Sequence, residues 1–382
     1  GAGERGKAMG IFGFGVVLAP AVGPSVGGIL VEWFGWRSIF FVVVPFSIAA
    51  LLLARRYLPV AAPGGREVGS AGERLDLAGL TLLSIAVLLL LNGLVHLKGA
   101  DRLLGIGLLL AGCASMAGFV MHQRRAASGL MRLDLFRHRP FAMGGWVAFI
   151  YGMALFGSTY LVPVFMQVAL NLPPSQAGAV LLPAGVVLAI TIPLAGRLAD
   201  RVPVHQLVAG GLLLLAASFV LMISVGAATA LWVIALWAVV GRIGLGFVLP
   251  SLNLGAIRGL PQRSISHGSS TINFLRQLGG AVGISLVGSV LEWRLQAEAA
   301  RPLRAFHETF ALVGLITAGA VVAAWRMRPP RDRAIGVKPE AEPVEPEAEA
   351  LAPVTQALEP EAKRRHGAAG LVPHPARPEE PQ

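Results

Sequence analysis

The chain has 382 residues, of which 55% are hydrophobic and 14% charged. A soluble domain carries about 25% charged residues, so the composition excludes a soluble globular protein and indicates a polytopic membrane protein. The net charge of +11 does not point to nucleic acid, because the basic residues fall in short stretches between apolar runs, and the single cysteine, Cys113, excludes an internal disulfide and a thiolate metal site.

About 20 apolar residues span a bilayer as a helix. Uncharged runs of that order predict ten helices, at 8–31, 38–55, 77–97, 103–122, 140–168, 174–196, 204–225, 229–257, 266–291 and 307–327. Two runs are long enough for two crossings each. "NLPPSQ" at Asn171–Gln176 divides the first and "VGAATA" at Val225–Ala230 divides the second. The first run is too long for the apolar core of a signal peptide and lacks a cleavage pattern. The expected fold class is all-α, with every span a helix.

The connections carry the orientation. With the first residue placed in the cytoplasm, 19 Lys and Arg fall on that side and 6 on the other. The positive-inside rule then puts both ends of the chain in the cytoplasm. Four regions follow: two helices in 1–56, a helix pair with its flanking cytoplasmic loops in 57–139, six helices in 140–328, and a tail over 329–382. The tail is rich in Pro, Glu and Ala and has no Phe, Trp or Tyr, so it is expected to be disordered. Six helices against two make a lopsided bundle. That imbalance, with a first residue that is not Met, predicts further helices before Gly1.

The first apolar run is studded with helix breakers. Gly15, Ala19, Gly23 and Gly27 are spaced by four, and so are Pro20, Pro24 and Gly28. These form adjacent rows on one helix face. Small residues repeated in this way let a second backbone approach closely in lipid. The string "GPSVGGIL" from Gly23 resembles the antiporter motif on the fifth helix of exporters in the major facilitator superfamily. Gly23, Pro24, Gly27 and Gly28 match, and Ala19 replaces the motif's first glycine. "VEWFGWRSIFFVVVP" is similar to that family's connection from the fifth helix to the sixth. "GRLADR" resembles the superfamily's short cytoplasmic loop, with Gly196, Leu198, Asp200 and Arg201 matching, although "VPVH" replaces its downstream glycine and basic residues. "PVFMQVALNLPPSQAGAVLLPAG" is similar to the stretch before that loop in the fourteen-helix drug:proton antiporters.

The resemblance implies a major facilitator fold lacking its first four helices, with 57–139 as the helix pair inserted between two six-helix halves. It implies secondary active transport by alternating access: proton-coupled export of drugs or other small hydrophobic or cationic compounds. An exporter of a metabolite or lipid-like compound is the alternative. An enzyme is not expected, since no H-E-x-x-H, paired acidic motif or G-x-S-x-G occurs. No cofactor or metal is expected, and the proton gradient would supply the driving force. The expected partners are the lipid bilayer and a small-molecule substrate, in a monomer in a bacterial plasma membrane.

Polar residues inside the spans are the remaining site candidates. Asn, Gln and Arg are costlier in lipid than Ser or Thr, and therefore more informative. The cavity candidates are Tyr151, Gln167, Arg242, Asn253, Asn273 and Gln277, with Arg276 also inside a span. "RIGLGF" at Arg242–Phe247 resembles the superfamily's fourth-helix motif, in the matching place of the second half. Arg242 is expected about 20 Å into its helix and facing the bundle interior. Asp200 is expected either to cap the following helix or to serve with Gly196 and Arg201 as a cytoplasmic gate loop. No Asp or Glu falls inside the predicted apolar cores, so no proton-carrying carboxylate can be named.

Overall fold

The computed structural model describes residues 23–57, 76–97, 101–125, 131–199, 201–261 and 264–328. All lie in one unit spanning Gly1–Arg328. Residues 23–34 are helical (α1), followed by α2 (Ser38–Tyr57), α3 (Leu77–His96), α4 (Arg102–Arg125), a 3-10 turn (Leu133–Arg137) and α5 (Arg139–Val164). Then come α6 (Pro174–Leu198), α7 (Val204–Ile223), α8 (Leu231–Ile257), α9 (Ile265–Ala297) and α10 (Pro302–Trp325). Nine helices among the described residues, α2 to α10, are long and apolar enough to cross a membrane. The fold is all-α, and such spans embed the chain in a lipid bilayer.

Glycine sets how closely these helices approach. A Cβ on Gly152 of α5 would overlap the Arg276 carbonyl of α9, and one on Gly279 would overlap the Phe149 carbonyl of α5. One on Gly283 would lie 2.6 Å from Met153 Cα. Between α7 and α8, a Cβ on Gly211 would lie 2.8 Å from the Gly244 carbonyl. The neighbouring Ser218 hydroxyl, on α7, donates to the Trp237 carbonyl at 2.8 Å. Lipid gives helices little hydrophobic reason to associate, so such close backbone contact supplies much of the attraction. The core lies where α5, α7 and α10 meet: Phe165 stacks edge-on against Phe306 and Phe310 at 5.4 and 5.5 Å.

Lipid also explains the exposed apolar surface. No residue of α2 is buried, and Phe40, Phe41 and Phe46 are each more than half exposed. α3 and α4 pack mainly on each other, with a lesser contact from α3 to α9. Their shared end is polar: Asp76 caps α3 by accepting from the Gly79 N–H at 2.8 Å. The same carboxylate contacts His122 Nε2 at 2.7 Å and accepts from Gln123 Nε2 at 2.9 Å.

Helix ends depart from the expected ones where charge or proline is involved. α1 runs three residues past Val31 and stops at Gly35, whose φ of 77° lies in the left-handed region that favours glycine. α9 continues to Ala297 rather than ending at 291, and α10 begins at Pro302 rather than 307. Ion pairs hold these polar ends: Arg294 pairs with Glu298 and Glu308, and Arg304 pairs with the same two carboxylates. The longer α9 contains Glu292, which lies beyond the predicted apolar core. In α5, Pro163 removes a backbone donor, and the chain widens into a π turn over Phe165–Ala169. The disordered reading of 329–382 falls outside the described residues.

Candidate functional site

A cavity of about 870 Å³ opens between α1, α5, α6, α8 and α9. One wall is the α1–α6 contact, where backbone meets backbone. A Cβ on Gly28 would overlap the Pro174 carbonyl, and one on Gly178 would lie 2.7 Å from the Pro24 carbonyl. The Ser25 hydroxyl donates to the Gly178 carbonyl at 2.8 Å, and the Ser175 N–H donates to Glu32 Oε2 at 3.0 Å. Proline at the start of α6 leaves N–H groups free at the helix N-terminus, and a carboxylate there is favoured by the dipole.

Only part of the small-residue face does this packing. Gly28 makes the close contact, whereas a Cβ on Gly23 or Gly27 would meet nothing within 4 Å among the described residues. Of the expected packing residues, Gly28 makes the close contact, with Pro24 and Ser25 beside it, and Gly23 and Gly27 meet no neighbour among the described residues. Gly27 instead lines the cavity. Gly27 and Gly28 are consecutive, a turn of about 100° around the helix axis, so the two glycines face different surroundings. Gly15 and Ala19 lie outside the described residues.

α5 supplies Tyr151 and Gln167. Tyr151 is 2% exposed, and its hydroxyl donates to the Leu245 carbonyl of α8 at 3.2 Å. Gln167 lies on the π turn and donates to the Pro163 carbonyl at 3.3 Å. Both line the cavity, with Leu155, Phe156 and Thr159 of the same helix.

α8 supplies Arg242. It stands eleven residues after Leu231, about 17 Å along the axis, close to the middle of the helix. Its neighbour Gly244 packs on α7, and a Cβ on Gly246 would lie 2.7 Å from Thr191 of α6. Glycines on both sides thus press α8 between α6 and α7 and fix its rotation. Arg242 lines the large cavity and a smaller one of about 20 Å³ beside Ser158 and Ser218. It forms no hydrogen bond or ion pair among the described residues.

α9 supplies Arg276, which lines the cavity and whose guanidinium donates to Asn273 Oδ1 at 2.6 Å. The remaining candidates do not line it. Asn253, Asn273 and Gln277 are exposed, and of these only Asn273 touches a lining side chain. Asn253 and Gln277, expected in the cavity, lie outside this lining. Arg276 takes their place because it follows the glycine face: it lies three residues before Gly279, on the side that meets α5.

The loop candidates lie elsewhere. Gly196 is near the end of α6 with no atom within 4 Å of its would-be Cβ, and the Arg201 N–H donates to the Leu198 carbonyl at 3.0 Å. Asp200 lies outside the described residues.

The Major Facilitator Superfamily model matches residues 1–284. The chain belongs to the Major Facilitator Superfamily. Among its relatives is the methylenomycin A resistance protein of Streptomyces coelicolor, 27% identical over 87% of this chain and 68% of that protein. The multidrug resistance protein B homolog of Mycobacterium tuberculosis is 31% identical over 76% of this chain and 54% of that protein. The lincomycin resistance protein LmrB of Listeria monocytogenes is 29% identical over 75% and 60%, respectively. The chain thus spans little more than half the length of most of these superfamily relatives. Members of the superfamily are transporters.

Proposed function

We propose that this superfamily chain is the greater part of a secondary active exporter of small apolar compounds, coupled to the proton gradient and working by alternating access. The cavity carries the reading: α1 on one side faces four helices of the 140–328 region on the other, around a space of about 870 Å³. That is the size of a drug-binding pocket, and rocking around such a space is how this kind of transporter alternates. Relatives named for resistance to methylenomycin A and lincomycin support antibiotic-like cargo. Export of a metabolite or lipid-like compound would use the same site. A cationic cargo has no support from the lining residues, which include no Asp or Glu among those described.

The exporter acts as a monomer in a bacterial plasma membrane, with both ends of the chain in the cytoplasm, a reading that the distribution of basic loops supports. The helix pair 57–139 joins the two helices of 1–56 to the six of 140–328. The test is uptake of a lipophilic fluorescent dye into inside-out vesicles carrying the protein. Uptake is expected to need a proton gradient and to stop when an ionophore collapses it. Uptake that ignores the gradient would remove proton coupling, and none under any gradient would remove the export reading.

A further inference from the structure

We propose that the cavity takes an amphiphile with a carboxylate headgroup on an apolar body, and that Arg242 and Arg276 receive the headgroup. The inference rests on the export reading for the ligand's role as cargo.

The lining is mainly aliphatic and aromatic, with Leu155, Phe156, Leu181, Leu245 and Leu249 among its walls. Against these stand two arginines from different helices, Arg242 of α8 and Arg276 of α9. Both line the same cavity as Tyr151. Tyr151 gives its proton to the Leu245 carbonyl, which leaves its oxygen as an acceptor and not as a counter-charge.

A guanidinium carries five N–H donors and no acceptor. Arg276 gives one to Asn273 Oδ1, a neutral partner that leaves its charge without an ion pair among the described residues. Arg242 gives none to any described residue. A charge half-way along a span is costly unless it is paired or wetted. Among the described lining residues there is no carboxylate to pair with either. A ligand carboxylate matches the two-pronged geometry of guanidinium, and the apolar walls match a hydrocarbon body. A cation would meet two like charges here.

The experiment uses the full chain in lipid nanodiscs and three probes of one length: dansyl-aminoundecanoic acid, its methyl ester, and the corresponding dansyl alkylamine. Binding is read by energy transfer from the protein's tryptophans. The acid should bind about tenfold more tightly than the ester, the scale of a hydrogen bond to a charged group, and the amine most weakly. Arg242→Gln should bring the acid to the ester's affinity while ester binding persists. Arg276→Gln should narrow the gap, and it serves as the second variant if Arg242→Gln no longer binds the ester. Equal affinities for acid, ester and amine would overturn the inference and leave the export reading standing. So would an acid preference that survives both substitutions. Failure of all three probes to bind would overturn the inference and the cavity's role as a transport site together.

Discussion

The Ser25 hydroxyl donates to the Gly178 carbonyl at 2.8 Å, joining residues 153 positions apart in sequence. It sits where α1 and α6 touch backbone to backbone, and it ties "GPSVGGIL" to a helix that follows α3, α4 and α5 in the chain. A Cβ on Gly28 or Gly178 would not fit between the two helices there.

Replacing Gly28 or Gly178 with Ala should therefore force α1 and α6 apart. Overpacking of this kind costs about 1–3 kcal/mol, so thermal stability in detergent should fall for both variants. Gly27→Ala has open space and should keep its stability while narrowing the cavity. Equal stability losses at Gly27 and Gly28 would show that the two glycines do not differ in this way.

Glu32→Gln should loosen the same contact from its other end. The carboxylate accepts the Ser175 N–H at 3.0 Å, and Gln brings a neutral acceptor to a helix N-terminus that favours negative charge. A cysteine pair placed at Glu32 and Ser175 should cross-link readily, and Ser25→Ala should slow cross-linking. Unchanged cross-linking rates would separate Ser25 from the stability of this contact.

Asp76→Ala should destabilise the α3–α4 pair. It removes an N-cap, typically worth about 1 kcal/mol, and takes from His122 and Gln123 the carboxylate they share. Gln123 is 6% exposed, so its amide loses a partner where water reaches it poorly. Hydrogen exchange of α3 and α4 should rise in this variant, with α7 and α8 unaffected. Uniform change along the whole chain would contradict a local role.

The pair Arg132–Asp134, in the 3-10 turn before α5, supplies a pH dependence. The guanidinium at 2.8 Å holds the Asp134 carboxyl below its ordinary range. A carboxylate whose folded pKa is lowered stabilises the fold above its unfolded pKa, and the effect is lost as pH falls through the folded value. Both side chains are largely exposed, so the contribution should stay below about 1 kcal/mol. Asp134→Asn should match the unmodified protein at acid pH and fall slightly below it at neutral pH. A difference that grows on acidification would reverse the sign and refute the assignment.

Much of the fold is legible in the sequence because lipid imposes one rule: a span is a long uncharged helix. The starts at Pro174 and Val204 and the end at Ile257 lie where the apolar runs and prolines put them. The rule fails where helices leave the apolar layer, as at Ala297 and Pro302, because ion pairs rather than hydropathy decide those ends. The site was less legible. Asn273, Arg276 and Gln277 are all polar and on one helix, and composition cannot choose among directions that differ by a rotation. The choice is made by Gly279 and Gly283, which fix how α9 rolls against α5. Arg242, held between Gly241 and Gly244, was the easier case, because the glycines adjoin it in sequence. The π turn that presents Gln167 had no signal beyond Pro163.

The bare contact between α1 and α6 limits how these helices can move. Side chains that interlock can swap rotamers and let a helix roll in place. Gly28 against Pro174, and Gly178 against Pro24, offer no rotamers to swap. The two helices must slide as stiff rods or separate outright. Separation breaks two identified hydrogen bonds, one to a carbonyl and one to a carboxylate. Parting α1 from α6 would thus be an all-or-none step with a small, countable set of bonds at stake.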